Sequence, residues 1–260
     1  DTSLASNAYD LAYKLQQISA KADFTTRLGL HHKLNYGVNA FLYYIHPGTY
    51  TPFGEASLVE SDILEREQAL ESALYISDTW EINPNLSFEL GLRYGFYSAL
   101  GPKNYYLYQA VVLRSEESIT ETVNAPGGKF IKPYHGPELR LSVRYAFTPT
   151  FSLKAGFNSM RQNIHMLSNT TIISPTDIWK LSDANIKPQQ GWQAAAGLYK
   201  NLFDNTLECS IEGYYKNISN YLDYASSAKL LMNHHIETDV IETQGKAYGV
   251  EVMLKRSLGR

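Results

Sequence analysis

Apolar and polar residues alternate with a period of two along most of this chain, the mark of strands whose successive side chains point to opposite faces of a sheet. Residues 86–96 show it most clearly. Leu86, Phe88, Leu90, Leu92, Tyr94 and Phe96 fall on one face, and Ser87, Glu89, Gly91, Arg93 and Gly95 on the other. In 139–147, Leu139, Leu141, Val143, Tyr145 and Phe147 oppose Arg140, Ser142 and Arg144. In 151–157, Phe151, Leu153, Ala155 and Phe157 oppose Ser152, Lys154 and Gly156. Segments within 18–28, 34–42, 70–82, 192–199, 207–214 and 248–255 follow the same rule. The pattern predicts about nine strands, each near the ~9–11 residues that cross a bilayer at a tilt.

The connections alternate in length. Turn-forming residues at 29–33, 83–85, 148–150 and 204–205 leave room only for tight reversals, whereas long polar stretches fill 46–66, 98–137, 163–190 and 219–244. Short turns on one side and long loops on the other are the arrangement of outer-membrane barrels, with the turns in the periplasm and the loops outside. The strands ending near 28, 82, 147 and 203 then run toward the periplasm. One face carries Lys21, Asp23, Arg27, Glu89, Arg93, Arg140, Arg144, Lys154, Glu208, Glu212, Glu251 and Lys255. Toward lipid, an Arg or Lys would cost ~2–4 kcal/mol at the bilayer midplane, so this face is assigned to the lumen. The apolar face is assigned to lipid, with Tyr36, Tyr44, Trp80, Tyr94, Tyr145, Trp192 and Tyr215 suited to aromatic girdles. Asp78 departs from the pattern: it falls on the lipid face, either at the periplasmic interface or in a local bulge.

Composition agrees. The 260 residues include 20 tyrosines, and 19% are charged, below the ~25% of soluble domains. Charges balance at 23 basic against 26 acidic residues, which removes the polycationic surface that nucleic-acid binding needs. A single cysteine, Cys209, excludes an internal disulfide and a multi-thiolate metal site. The longest apolar run, about eight residues around 38–45, is far below the ~18 of a transmembrane helix. Asp1–Asp10 lacks the apolar core of a signal peptide, and the abrupt ends at Asp1 and Gly259-Arg260 read as those of a piece of a longer protein.

No catalytic motif is present: there is no nucleophile elbow, no metalloprotease helix and no phosphate loop. Glu208 and Glu212, four apart on one strand, stand roughly 13 Å apart, too far for paired acid–base work. No cofactor or metal is expected. Candidate ligand contacts lie in the long loops: Tyr105, Tyr106, Tyr108, His165, Trp179, His234 and His235. Stacking on a sugar or aromatic ligand would explain the tyrosines and Trp179, but ordinary cross-strand packing, for the tyrosines on an extra extracellular hairpin, is the favoured reading. For the histidines, plain polar surface is the favoured reading and ligation the alternative. Glu116, Glu117 and the acidic run within 65–71 read as solvated charge.

Residues 73–94 (Ala-Leu-Tyr-Ile-Ser-Asp-Thr-Trp-Glu-Ile-Asn-Pro-Asn-Leu-Ser-Phe-Glu-Leu-Gly-Leu-Arg-Tyr) resemble the paired-strand motif of TonB-dependent receptor barrels, in which "Y-x-x-D-x-W" turns into "L-x-L-x-x-G-L-R-Y". Pro137–Tyr145 with Phe151–Phe157 resembles the next hairpin of that family, Asn185-Ile-Lys-Pro188 the "L-x-P-E" strand start, and Tyr248-Gly-Val-Glu251 the "x-G-x-E" strand. The loops look most like Bacteroidetes receptors. The resemblance covers nearly the whole chain. It implies that 1–260 is part of a 22-stranded barrel, with the plug domain and the terminal strands absent. It also implies bacterial outer-membrane localisation and active uptake of a scarce nutrient, small or oligomeric: a siderophore, vitamin, glycan or peptide. The implied partners are outer-membrane lipid, the remaining barrel and plug, the TonB complex through that plug, and a surface lipoprotein if the receptor is of the glycan-importing type. A non-transport barrel, an adhesin or biogenesis protein, is the alternative. A soluble sandwich would put polar residues on the outer face and loops of similar length at both ends, and neither is present.

Overall fold

The computed structural model describes residues 6–110, 113–168 and 177–256. Part of the 163–190 loop, residues 169–176, lies outside the described residues, as do residues 1–5 and the Gly259-Arg260 end. Nine long strands form one antiparallel sheet: β1 (Tyr9–Leu28), β2 (His32–Pro52), β4 (Glu67–Asn83), β5 (Leu86–Leu100), β8 (Phe130–Thr148), β9 (Phe151–Gln162), β12 (Gln189–Leu202), β13 (Leu207–Tyr224) and β14 (Val240–Arg256). Short strands occupy the long connections: β3 (Asp62–Ile63) pairs with β2, β6 (Lys103–Tyr108) with β7 (Ile119–Ala125), and β10 (Ile164–Leu167) with β11 (Ile178–Leu181). Each long strand pairs with the next one in the chain, the up-and-down order of a barrel wall.

The tight turns use their expected chemistry. Gly29 takes φ +65° after β1. The Asn83 side chain accepts from the backbone N–H of Asn85 at 2.9 Å and of Leu86 at 3.0 Å, an Asx turn. Thr148 Oγ1 accepts from the Thr150 N–H at 3.3 Å.

Register places the apolar residues in lateral rows on one face, such as Val38–Leu74–Tyr94 and Ile76–Leu92–Leu139 in the first half of the sheet and Leu198–Ile211–Val252 in the second. Leu74 and Val252 are among the large apolar side chains exposed on this face. An apolar surface this wide is unstable against water and is what hydrocarbon requires. Aromatic contacts form two bands: Phe147 contacts both Tyr145 and Phe151 at the turn between β8 and β9, and Trp192, Tyr215 and Tyr248 stack in sequence part-way up β12, β13 and β14. Asp78 proves not to sit in a bulge, since its pairing with Leu34 and Leu90 is regular. Its carboxylate meets His32 Nδ1 at 2.7 Å, and the His32 ring stacks on Trp80 at 5.4 Å. A partner next to the turn explains how a carboxylate is tolerated on the lipid side.

The strands run higher than the alternation indicates. The loop boundaries expected at 46, 137, 219 and 244 fall inside β2, β8, β13 and β14. Period two continues there, but its polarity inverts. On the lumenal face of the upper strands stand Tyr43, Ile45, Ala69 and Tyr97, all buried, with Phe41 and Tyr134 beside them. Above the membrane the outer face meets water, while the inner face meets protein folded back onto it.

Candidate ligand mouth and lumenal wall

What folds back is the connection between β9 and β12. Its β10–β11 hairpin lies on the lumenal side, where Leu181 packs against Tyr43, Ile45, Ala69 and Tyr97. Tyr97 Oη donates to Ser182 O at 2.6 Å, Tyr134 Oη donates to Asp183 O at 2.8 Å, and Asn163 Nδ2 donates to Glu71 Oε2 at 2.9 Å. The hairpin's other flank, Leu167 and Ile178, packs with Ile186, with Leu222 of β13 and with Ile236 of the last loop. It therefore spans the inside of the sheet from β13 to β2, which makes this the concave side. Leu181, about 1% exposed, is as deeply buried as a core leucine, and such a side chain contributes ~2 kcal/mol.

Four charged side chains lock this arrangement. Lys103 Nζ approaches Glu67 Oε1 at 2.9 Å and Asp183 Oδ2 at 3.3 Å; Lys180 Nζ bonds Asp183 Oδ2 at 2.6 Å and Glu67 Oε1 as well. The remaining oxygens are used too: Glu67 Oε2 accepts from Leu181 N, and Asp183 Oδ1 from the N–H groups of Asn185 and Ile186. Burial alone would raise both carboxyl pKa values, but the two ammonium groups outweigh it and hold Glu67 and Asp183 below the ordinary carboxylate range. For Lys103 burial works downward, and the two carboxylates reverse it to a raised pKa. The cluster ties the β2–β4, β5–β8 and β9–β12 connections to one point. It also corrects the reading of the acidic run at 65–71 as solvated. Glu67 is 6% exposed, and Glu71 accepts from Arg93, which itself donates to Glu138 at 3.0 Å. Nothing in a lone glutamate's sequence context shows that two lysines, 36 and 113 residues away, converge on it.

The sequence candidates divide. Tyr105, Tyr106, His234 and His235 come together where the β6–β7 hairpin meets the last loop. A cavity of about 100 Å³ there is lined by Glu65, Lys103, Tyr105, Tyr106, His234 and Glu237, among others. The Tyr106 and His235 rings lie 4.8 Å apart, Tyr108 Oη donates to Glu237 at 2.8 Å, and Tyr105 packs on the small core of Ala99, Ala125 and Ile131. Packing thus occupies much of these rings. His234 Nε2 reaches Asp62 at 2.9 Å. Trp179 stands opposite Met166 on the hairpin, and both are exposed. His165 is different: it is 3% exposed with Nε2 2.9 Å from Ser182 Oγ, so it braces the hairpin instead of presenting a ring to a ligand. Among the described residues no group of three His, Cys, Asp or Glu is placed to hold a metal ion.

Burial, reinforced by Lys180, lowers the His165 pKa to about 4. Below pH 6.5 an undocked hairpin takes up a proton that docked His165 refuses until about pH 4. Docking should therefore weaken by up to about 3 kcal/mol as pH falls through that window, and the carboxylates add to the loss only below about pH 4. Hydrogen exchange of 163–168 and 177–186 in the full-length protein, at pH 7.5 and pH 4.5, checks this; equal protection at both would refute it.

Lower on the wall, the expected lumenal charges occupy the concave face. Ser87, Arg144, Lys154, Gly197, Glu212 and Glu251 form one lateral row across β5, β8, β9, β12, β13 and β14. Like charges are directly opposed at Arg144–Lys154 and at Glu212–Glu251. The Tyr199 ring lies between them, with Lys154 Nζ 4.5 Å from its centroid and its hydroxyl donating to Glu212 at 2.5 Å. Gly197 eases the fit of that ring, since a Cβ there would lie 3.1 Å from Ile211 O and 3.2 Å from both Tyr199 Cε2 and Glu212 Cβ, close enough that the ring would have to give. Elsewhere in-register charges are of opposite sign, as in Arg93–Glu138 and Glu208–Lys255; Arg27–Lys33 is like-signed but stands at the periplasmic rim. Two like charges at ~5 Å repel by about 1 kcal/mol in water and about 3 kcal/mol once water is partly excluded. Glu89 stands on this face one row above it and Arg140 two rows above.

A family model described as "TonB dependent receptor-like, beta-barrel" matches residues 1–258. No curated protein matches the sequence. Among solved structures, the copper transporter OprC is similar at TM-score 0.61 and 14% identity over 96% of this chain and 37% of that one. The Serratia marcescens hemophore receptor HasR, in complex with its hemophore and heme, is similar at 0.61 and 14% over 96% of this chain and 41% of that one. The FrpB iron transporter of Neisseria meningitidis is similar at 0.60 and 15% over 95% of this chain and 35% of that one. At such identities the likeness is one of fold. The chain spans between 31% and 41% of the lengths of these and similar structures.

Proposed function

Because the chain belongs to the TonB-dependent receptor-like β-barrel family and is therefore a piece of outer-membrane barrel wall, we propose that it forms the wall and part of the extracellular mouth of a receptor that imports a scarce nutrient. The observation that carries this reading is the convergence of three long connections and an inward-folded hairpin on one polar, aromatic-lined cavity above the lumen. A barrel used only as an anchor has no need to fold a loop into its own bore. Tyr106, Trp179, His234 and His235 are the side chains proposed to meet the ligand. Further strands of the same receptor would pair with the free edges of β1 and β14, because unpaired backbone groups are too costly in hydrocarbon.

The test is growth of cells carrying the full-length receptor with a ferric siderophore, cobalamin, a maltooligosaccharide or a peptide as the sole limiting nutrient. One of these is expected to support growth that disappears when TonB coupling is removed. Receptor-dependent cell adhesion without any TonB-dependent uptake would favour the adhesin alternative.

A further inference from the structure

The lipid-facing side of β9, β12 and β13 changes character at one level. Two lateral rows on that face, Ser159–Trp192–Asn217 and Arg161–Gln190–Ser219, line a polar cleft of about 180 Å³. Directly below it the face turns apolar and shallow. Ala155, Ala194, Ala196 and Gly213 leave an outward groove there, flanked by Tyr215 and Tyr248. Arg161 stands ten positions beyond Phe151 at the periplasmic turn, roughly 26 Å higher at ~3.4 Å per residue and a ~40° tilt. The apolar band of such a barrel is about 25 Å tall, so the cleft lies at the outer headgroups and the groove among the acyl chains.

The cleft also holds an unused donor. Nη1 of Arg161 is buried and has no hydrogen-bond partner. Its guanidinium is seated against Gly136 of β8, at φ +149°, where any Cβ would come within 2.5 Å of both terminal nitrogens. A buried guanidinium N–H without an acceptor is costly, and a backbone notch that holds it there points to an acceptor from outside the chain. Among the described residues Glu138 is the one carboxylate lining the cleft, and both of its oxygens accept from Arg93 on the lumenal side. Lys246, in register with Asn217, adds a second cation on the same face. The place is thus cationic, open outward and continuous with an apolar groove.

We propose that cleft and groove together bind one lipid of the outer leaflet through a phosphate-bearing, net anionic headgroup. Arg161 takes the phosphate oxygens, Gln190, Asn217 and Ser219 bring further N–H and O–H donors, and an acyl chain lies along the alanines below. A zwitterionic headgroup brings an ammonium group as well, and no free carboxylate lines the cleft to receive it, so the anionic lipid is preferred. The inference needs only the barrel wall and its two faces, not the nature of the imported nutrient. β14 stands between the cleft and the free edge of the sheet, so strands that continue the barrel do not cover it.

Native mass spectrometry of the full-length receptor in dodecyl maltoside micelles tests it, with palmitoyl-oleoyl phosphatidylglycerol or the phosphatidylcholine of the same chains added. Wild type is expected to retain one phosphatidylglycerol about tenfold better than phosphatidylcholine, and R161Q to remove most of that preference. A196L, which fills the groove, should weaken retention of both lipids, and inorganic phosphate in large excess should displace neither. Equal retention of the two lipids by wild type, or an unchanged preference in R161Q, overturns the proposal. So does displacement by inorganic phosphate together with a silent A196L, which would make the cleft a site for free phosphate. If R161Q fails to assemble, as judged by heat-modifiable gel migration, Q190E serves instead. It sets a carboxylate directly opposite Arg161, in register, and so supplies the missing acceptor from within the chain. Loss of the preference in Q190E supports the lipid site, and an undiminished preference overturns it.

Discussion

Replacing Glu67 by alanine is expected to release the β10–β11 hairpin from the wall while leaving the barrel strands paired. Glu67 is 6% exposed and contributes one oxygen to both lysines and the other to the Leu181 N–H. Its removal leaves Lys103 and Lys180 facing each other with Asp183 alone between them. Losing one partner of a buried ion network costs about 3–5 kcal/mol, because the charge left behind has no solvent to return to. The hairpin's remaining attachments are the packing of Leu181 on one flank, that of Leu167 and Ile178 against Leu222 and Ile236 on the other, and a handful of hydrogen bonds, and a loss of that size shifts the docking equilibrium strongly against them. Protease cleavage within the β9–β12 connection and loss of amide protection at 178–181 should report it, with the heat-modifiable barrel unchanged. Glu67→Gln should fall between, since it keeps acceptor geometry for Leu181 N but not the charge. Wild-type protection in Glu67→Ala would mean that the hairpin's apolar packing, Leu181 on one flank and Leu167 and Ile178 on the other, suffices without the ion cluster.

A second contrast uses two neighbours on β8. Leu141→Arg is expected to impair insertion and stability by ~2–4 kcal/mol, whereas Ser142→Arg, one residue on, should cost little. Leu141 pairs with Leu90 and Phe157 on the apolar face, and Ser142 pairs with Glu89 and Gly156 on the concave one. Adjacent strand residues point to opposite sides, so the same guanidinium enters hydrocarbon in one case and the polar lumen, beside Glu89, in the other. Urea midpoints of the full-length barrel in lipid vesicles measure the difference. Equal costs would contradict the assignment of faces.

The long strands, their order and the lipid-facing set were legible in the sequence because each depends on local alternation and on short turns. Asn83 and Gly29 announce their reversals by their own chemistry. The same reasoning misjudged the upper strands, where Tyr43, Ile45 and Tyr97 point inward. Alternation gives a face but not its surroundings, and above the membrane the apolar face is the one covered by another loop. His165 looked like an exposed loop histidine for the same reason, and Glu67 like solvated charge: each is buried by segments distant in the chain.

By itself, the sequence determined a two-faced antiparallel wall with one face for lipid and one for the lumen, since side-chain direction in a strand follows position parity without any knowledge of neighbours. Only the tertiary structure decided that the β9–β12 connection folds into the bore, and that Glu67, Lys103, Lys180 and Asp183 meet. It likewise decided that Arg144, Lys154, Glu212 and Glu251 stand at one level on the wall. Those relations depend on strand register and on contacts between residues tens to more than a hundred positions apart, for which local alternation carries no signal.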